Sequence, residues 1–179
     1  MIVESSLAVP ASVQPDGPVK NIVVGISDFR VARDPGNVLL THALGSCIAL
    51  TVYDPVTRVA GLLHFMLPDS RTNQDRARQQ PATFADTGIT LLFHAAYDLG
   101  AQKKRCIVRM TGGANVMGDG VTFEIGKKNH LAAKSILWKN GVMVKSEWVG
   151  GNTVRNVSLD VNTGRMRVYN STGEDRDLS

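Results

Sequence analysis

The sequence predicts an α+β fold, a layered α/β sandwich with mixed and largely antiparallel β-sheets in a single domain. Three observations point there. Short apolar runs separated by turn signals dominate the first 70 residues and the last 40, only two segments carry helical periodicity, and strands and helices do not alternate regularly as in a doubly wound sheet. A length of 179 residues falls in the range of one globular domain, and no internal repeat divides it.

Residues 1 to 20 hold three prolines and no sustained period, so they read as a flexible N-terminal arm. The core domain is expected over residues 21 to 170. Its first strand is read in NIVVGISDF, followed by mostly apolar residues from Val38 to Tyr53 and a turn at Asp54-Pro55. RVAGLLHFML reads as the returning strand, and the polar DSRTNQDRARQQP as an exposed loop. Ile89, Leu92, Ala96 and Leu99 recur at helical spacing before Gly100, which predicts a helix from Phe84 to Leu99. RCIVRM reads as a buried strand running into Gly112-Gly113.

Asn129 is placed to cap a second helix that buries Leu131, Ala132, Ile136 and Leu137 and ends at Gly141. VMVKSEWV reads as a strand. VRNVSLDV and RMRVYN form a hairpin around Asn162-Thr163-Gly164, with Val157, Leu159 and Val161 on one face. Residues 171 to 179 read as a flexible C-terminal tail.

Composition excludes several function classes. Neither a membrane-spanning run nor a signal peptide is present, which predicts a cytoplasmic protein with no membrane insertion. Cys47 and Cys106 fit neither a disulfide framework nor a zinc spacing, so no metal is expected. Walker A and dinucleotide fingerprints are absent, and no cofactor is expected. A formal charge of +4, spread along the chain, gives no case for nucleic acid.

The chemistry is concentrated in the hairpin of SCIALTVY and RVAGLLHFM. A turn centred between Pro55 and Val56 opposes Cys47 to His64, at the roughly 4.5 to 5.5 Å between Cβ atoms typical of facing residues. An imidazole there can take a proton from the thiol and return one to a leaving amine, the minimum for acyl transfer. Gly45 and Ser46 offer backbone amides as oxyanion donors. Taken singly, a cysteine and a histidine in apolar strands are more often core residues. The pairing weakens that reading, since a buried imidazole needs a partner. Cys106 reads as core packing, Arg155 as structural, and His42, His94 and His130 as solvated or cap residues.

The stretch LTHALGSCIALTVYDPVTRVAGLLHFMLP resembles the signature of the CheD family of chemoreceptor glutamine deamidases. MTGGANVM, IGKKN and GGNTVRNV resemble further segments of that family in the same order, so the resemblance covers about residues 20 to 170. It implies a toxin-like α/β sandwich and a protein-glutamine glutaminase that converts receptor glutamines to glutamate with release of ammonia. It also implies a catalytic set of Cys47 as nucleophile, His64 as base, and Thr41, six residues before the cysteine, as the group orienting the imidazole. Cytoplasmic domains of chemoreceptors are then the protein substrate, and a CheC-type phosphatase is a candidate partner. Two other readings of the same residues stay open: a non-catalytic chemotaxis adaptor that binds receptor or phosphatase, and a peptidase or thioesterase using the same pair.

Overall fold

The computed structural model describes residues 19–118 and 120–179. The expected N-terminal arm therefore falls, apart from its last two residues, outside the described residues. Among the described residues ten strands form two five-stranded sheets. In chain order the strands are β1 (Lys20–Val23), β2 (Asp28–Ala32), β3 (Asn37–Leu44), β4 (Ile48–Asp54), β5 (Val59–Phe65), β6 (Ile107–Gly112), β7 (Val144–Val149), β8 (Arg155–Asp160), β9 (Met166–Asn170) and β10 (Asp175–Asp177). The helices are α1 (Gln74–Gln79), α2 (Ala85–Asp98) and α3 (Gly120–Lys139).

The outer sheet has the order β1-β3-β8-β9-β10 and the central sheet β2-β5-β4-β6-β7. Pairing is antiparallel except for β1 with β3 and β6 with β7. This is the mixed, largely antiparallel sandwich that the sequence predicts, in three layers: outer sheet, central sheet, and the helices α2 and α3.

Alternation along β4 and β5 builds two cores. Ile48, Leu50, Val52, Leu63 and Phe65 pack toward Ile89, Leu92 and Ala96 of α2 and Ala133 and Leu137 of α3. Ala49, Tyr53, Ala60 and Leu62 pack toward Leu39, Val157, Leu159, Met166 and Val168 of the outer sheet. Every residue of β4 and β5 is buried, as expected for strands covered on both faces. Each fully buried Leu, Val, Ile or Phe contributes about 1.5–3 kcal/mol, so this central pair is the most strongly held part of the fold.

Several local expectations change. NIVVGISDF is two strands, not one: β1 joins the outer sheet and β2 the central sheet, with Val24–Ser27 crossing between layers. The polar stretch after Pro68 contains a 3-10 turn at Ser70–Thr72 and the short helix α1, which Asn73 caps through a 3.0 Å bond from the Arg76 N–H. It stays without buried residues because its side chains are polar all round. Leu131 faces out at 55% exposure, and the buried stripe of α3 is Gly126, Asn129, Ala133 and Leu137. Asn129 is thus mid-helix, not a cap. In the tail, Asp175–Asp177 pairs with Arg167–Tyr169 as an exposed edge strand.

Candidate active site

The β4–β5 register differs from the one expected. Asp54 pairs with Val59 and Ala49 pairs with His64, which puts the turn centre between Val56 and Thr57, one residue later than predicted. The cause is a four-residue turn, Pro55 to Arg58. Asp54 closes it by accepting from the N–H groups of Val56 (2.9 Å) and Thr57 (3.4 Å), and Arg58 completes it in the left-handed region at φ 54°. Cys47 is therefore not directly opposite His64. It stands two residues before Ala49, a diagonal neighbour of His64 on the same sheet face. The slip is an even one, so the face is preserved.

That face looks toward the outer sheet, and from there β3 supplies Thr41. Its hydroxyl oxygen lies 2.8 Å from His64 Nδ1 and 2.7 Å from the carbonyl oxygen of Val24. A hydroxyl carries one hydrogen, and a carbonyl can only accept, so Thr41 donates to Val24 and accepts from Nδ1–H. The His64 proton is thereby held on Nδ1, and Nε2 keeps its lone pair. Nε2 is buried and has no hydrogen-bond partner.

The crossing segment Val24–Ser27 braces this pair. The Val24 N–H donates to the Leu40 carbonyl at 2.7 Å, and the Ser27 N–H to the His64 carbonyl at 2.8 Å. Immediately after Thr41, β3 shifts register against β8, with Ala43 at φ 59° and His42 exposed. Such a bulge re-aims the chain beside a site. It turns His42 to solvent, away from the pair.

Cys47 sits in the connection from β3 to β4, half-buried against the core between the sheets. Two backbone bonds hold it on the β6–α3 turn: Gly113 N–H to the Cys47 carbonyl and Ala114 N–H to the Gly45 carbonyl, both 2.8 Å. The approach is so close that a Cβ on Gly112, whose φ is +115°, would lie 2.1 Å from the Cys47 carbonyl oxygen. Arg155 holds the turn from behind, donating to the carbonyls of Gly112 and Gly150, with its guanidinium 4.5 Å from the Trp148 ring centre. The structural reading of Arg155 fits these contacts.

Burial disfavours the charged forms of both His64 and Cys47. Burial lowers His64 to about 4. Burial also raises the Cys47 thiol, opposed only by its own backbone N–H. Burial thus works against charge on either group, and the free Nε2 of His64 is the nitrogen left to act as a base.

Sequence reasoning missed Asn129. Fully buried on α3, it donates from Nδ2 to the carbonyls of Ser46 (3.1 Å) and Met66 (2.9 Å), one next to Cys47 and the other two residues past His64. The available signal was the stripe of Gly126, Asn129, Ala133 and Leu137, which puts a polar residue on an otherwise apolar face. Cys106 lies away from this site, half-buried before β6, and burial lifts its thiol to about 11. Among the described residues no three His, Cys, Asp or Glu side chains gather as a metal site. No helix among them is long and apolar enough to cross a membrane.

Comparison with known proteins gives the family of the chain. The family model described as CheD chemotactic sensory transduction matches residues 66–170. Probable chemoreceptor glutamine deamidase CheD 1 of Syntrophus aciditrophicus is 50% identical over 158 residues, covering 88% of this chain and 99% of the relative. Similar proteins named probable chemoreceptor glutamine deamidase CheD occur in Solibacter usitatus, 45% identical over 83% of this chain and 88% of the relative, and in Pyrococcus horikoshii, 40% identical over 86% and 94%.

Proposed function

The chain belongs to the CheD family, and from that membership and the geometry at His64 we propose that it is a chemoreceptor glutamine deamidase working through Cys47, His64 and Thr41. The observation that carries the mechanism is the direction of the Thr41–His64 hydrogen bond. It leaves Nε2 as a base on the face shared with Cys47.

The steps start from the neutral forms that burial favours. As the sulfur attacks the side-chain amide carbon of a glutamine, Nε2 takes the thiol proton, so charge develops only when substrate is in place. The tetrahedral oxyanion forms beside the backbone N–H of Cys47. Imidazolium then returns its proton to the leaving nitrogen, ammonia departs, and a thioester remains on Cys47. Water, deprotonated by the same nitrogen, hydrolyses it to glutamate and free thiol. Thr41 accepts from Nδ1–H throughout, stabilising the imidazolium and keeping the ring oriented.

Conversion of glutamine to glutamate adds one negative charge to a receptor helix, which changes its repulsion with neighbouring helices. On this reading the substrate is the cytoplasmic domain of chemoreceptors, the enzyme acts in the cytoplasm, and a CheC-type phosphatase is a regulatory partner. The test is intact-mass measurement of a receptor cytoplasmic domain after incubation, with ammonia assayed in parallel. Each modified site should gain about one mass unit on an unbroken chain. Chain cleavage would favour the peptidase reading, and an unchanged mass the adaptor.

A further inference from the structure

We infer that Asn129 is a positioning residue for the Cys47–His64 pair, its side-chain amide replacing the last rung of the β4–β5 ladder and so setting where the nucleophile stands relative to its base. The inference rests on the deamidase reading above. The ladder runs from Asp54 and Val59 to Ile48 and Phe65 and ends there, one residue short of Cys47. The next residues in register, Cys47 and Met66, are drawn apart by other partners. Met66 gives its N–H to the Thr83 carbonyl at 3.0 Å, and the Cys47 carbonyl is taken by Gly113 at 2.8 Å.

Asn129 bridges the ends left open. Its Nδ2 donates to Ser46 O at 3.1 Å and to Met66 O at 2.9 Å. Both hydrogens of one planar amide are committed, so neither carbonyl can shift without breaking a bond to the shared nitrogen. The Ser46 carbonyl belongs to the peptide plane that ends in the Cys47 N–H, and in a trans peptide the two groups point opposite ways. Fixing the carbonyl therefore orients that N–H, the donor beside which the oxyanion forms in the mechanism above.

A purely structural pin is a poor account of this residue. Asparagine is an unfavourable residue inside a helix, and this one has no exposure to solvent. It also leaves Oδ1 buried without a partner, at a cost of about 1–3 kcal/mol. A group retained at that cost in contact with both reactive segments acts on how they are placed. Substrate does not touch it in this account, so its loss should lower kcat and spare KM.

The experiment uses the full chain with Asn129→Asp, Asn129→Leu and Cys47→Ala, assayed for kcat and KM on a receptor cytoplasmic fragment between pH 5 and 8, with thermal unfolding measured alongside. Asn129→Asp keeps the shape. As a carboxylate it has no hydrogen to donate, and as a neutral acid it has one. Its kcat should fall at least about tenfold at pH 8 with KM within about twofold, and recover as pH falls and the acid protonates. The parent should show no such rise toward acid. Asn129→Leu, lacking donors at every pH, should stay slow across the range. If Asn129→Leu does not fold, Asn129→Asp carries the test by its pH profile. Parent-like kcat in Asn129→Asp, or a loss that follows only the unfolded fraction at every pH, overturns the inference. Cys47→Ala separates the two readings: its turnover must be abolished for the nucleophile to stand, whatever the Asn129 variants do.

Discussion

Thr41 and His64 belong to different sheets and meet across the sandwich through a 2.8 Å hydrogen bond, with the Thr41 hydroxyl already committed to the Val24 carbonyl. The imidazole can therefore be oriented only when both layers are packed. Thr41→Val keeps volume but removes the acceptor, leaving Nδ1–H buried and unpaired. We predict a fall in kcat of about 10- to 100-fold for Thr41→Val, with KM little changed and most activity kept in Thr41→Ser. Steady-state kinetics on the receptor fragment measures both. Equal activity in Thr41→Val and the parent would remove Thr41 from the site.

The depressed His64 value couples stability to pH. Its ordinary value is 6.5 and its folded value about 4, so the unfolded chain binds this proton more readily in between. The contribution is complete above 6.5 and is lost as pH falls toward 4, amounting to about 3 kcal/mol in all. Urea unfolding at pH 7 and pH 4.5 should show the parent losing about 2–3 kcal/mol more than His64→Gln. Matching losses in both proteins would mean that His64 is not held neutral. For the same reason activity should persist well below pH 6.5, with no acid limb at the ordinary histidine value.

Gly112 governs where the Cys47 backbone lies. Its φ of +115° and the 2.1 Å separation between a new Cβ and the Cys47 carbonyl oxygen leave no room for alanine. Gly112→Ala should cost about 1–3 kcal/mol and reduce kcat in the fraction that stays folded, because the Cys47 carbonyl must move. Thermal unfolding combined with active-site titration separates these effects. An unchanged melting temperature would contradict the contact.

Asp54 is held at the other end of the hairpin from Cys47 and His64. Fully buried at the β4–β5 turn, it accepts from Gln102 N–H at 2.9 Å and from Arg105 Nη2 at 2.7 Å, in addition to the turn amides of Val56 and Thr57. Arg105 and these amides hold its carboxyl far below the usual carboxylate range even though burial opposes them. Asp54→Ala should lower stability by about 3 kcal/mol while the folded fraction keeps the parent kcat. A normal melting temperature would refute this.

What could be read from the sequence follows from how local each signal is. The helix α2 was legible because Ile89, Leu92 and Ala96 repeat at its own period and Gly100 follows at positive φ. The β8–β9 hairpin was legible from the alternation of Val157, Leu159 and Val161. The β4–β5 register was not, because Pro55 hides a four-residue turn that depends on Arg58 adopting a left-handed conformation. Cys47 and His64 nevertheless share a face, since a slip of this parity preserves it. The role proposed for Thr41 comes from resemblance alone: its partner His64 lies on the other sheet, and no spacing within one hairpin reports that. Asn129 reads as a helix cap because asparagine is favoured there, whereas its neighbours Gly126 and Ala133 place it on the buried stripe.

The most direct test of the account compares the parent, Cys47→Ala and Cys106→Ala in the conversion of a receptor cytoplasmic domain, followed by intact mass and ammonia release. Conversion is predicted for the parent and Cys106→Ala, each site gaining about one mass unit with one ammonia released, and none for folded Cys47→Ala. Conversion by Cys47→Ala would contradict it, because no other described thiol lies on the face of the sheet that carries the free nitrogen of His64.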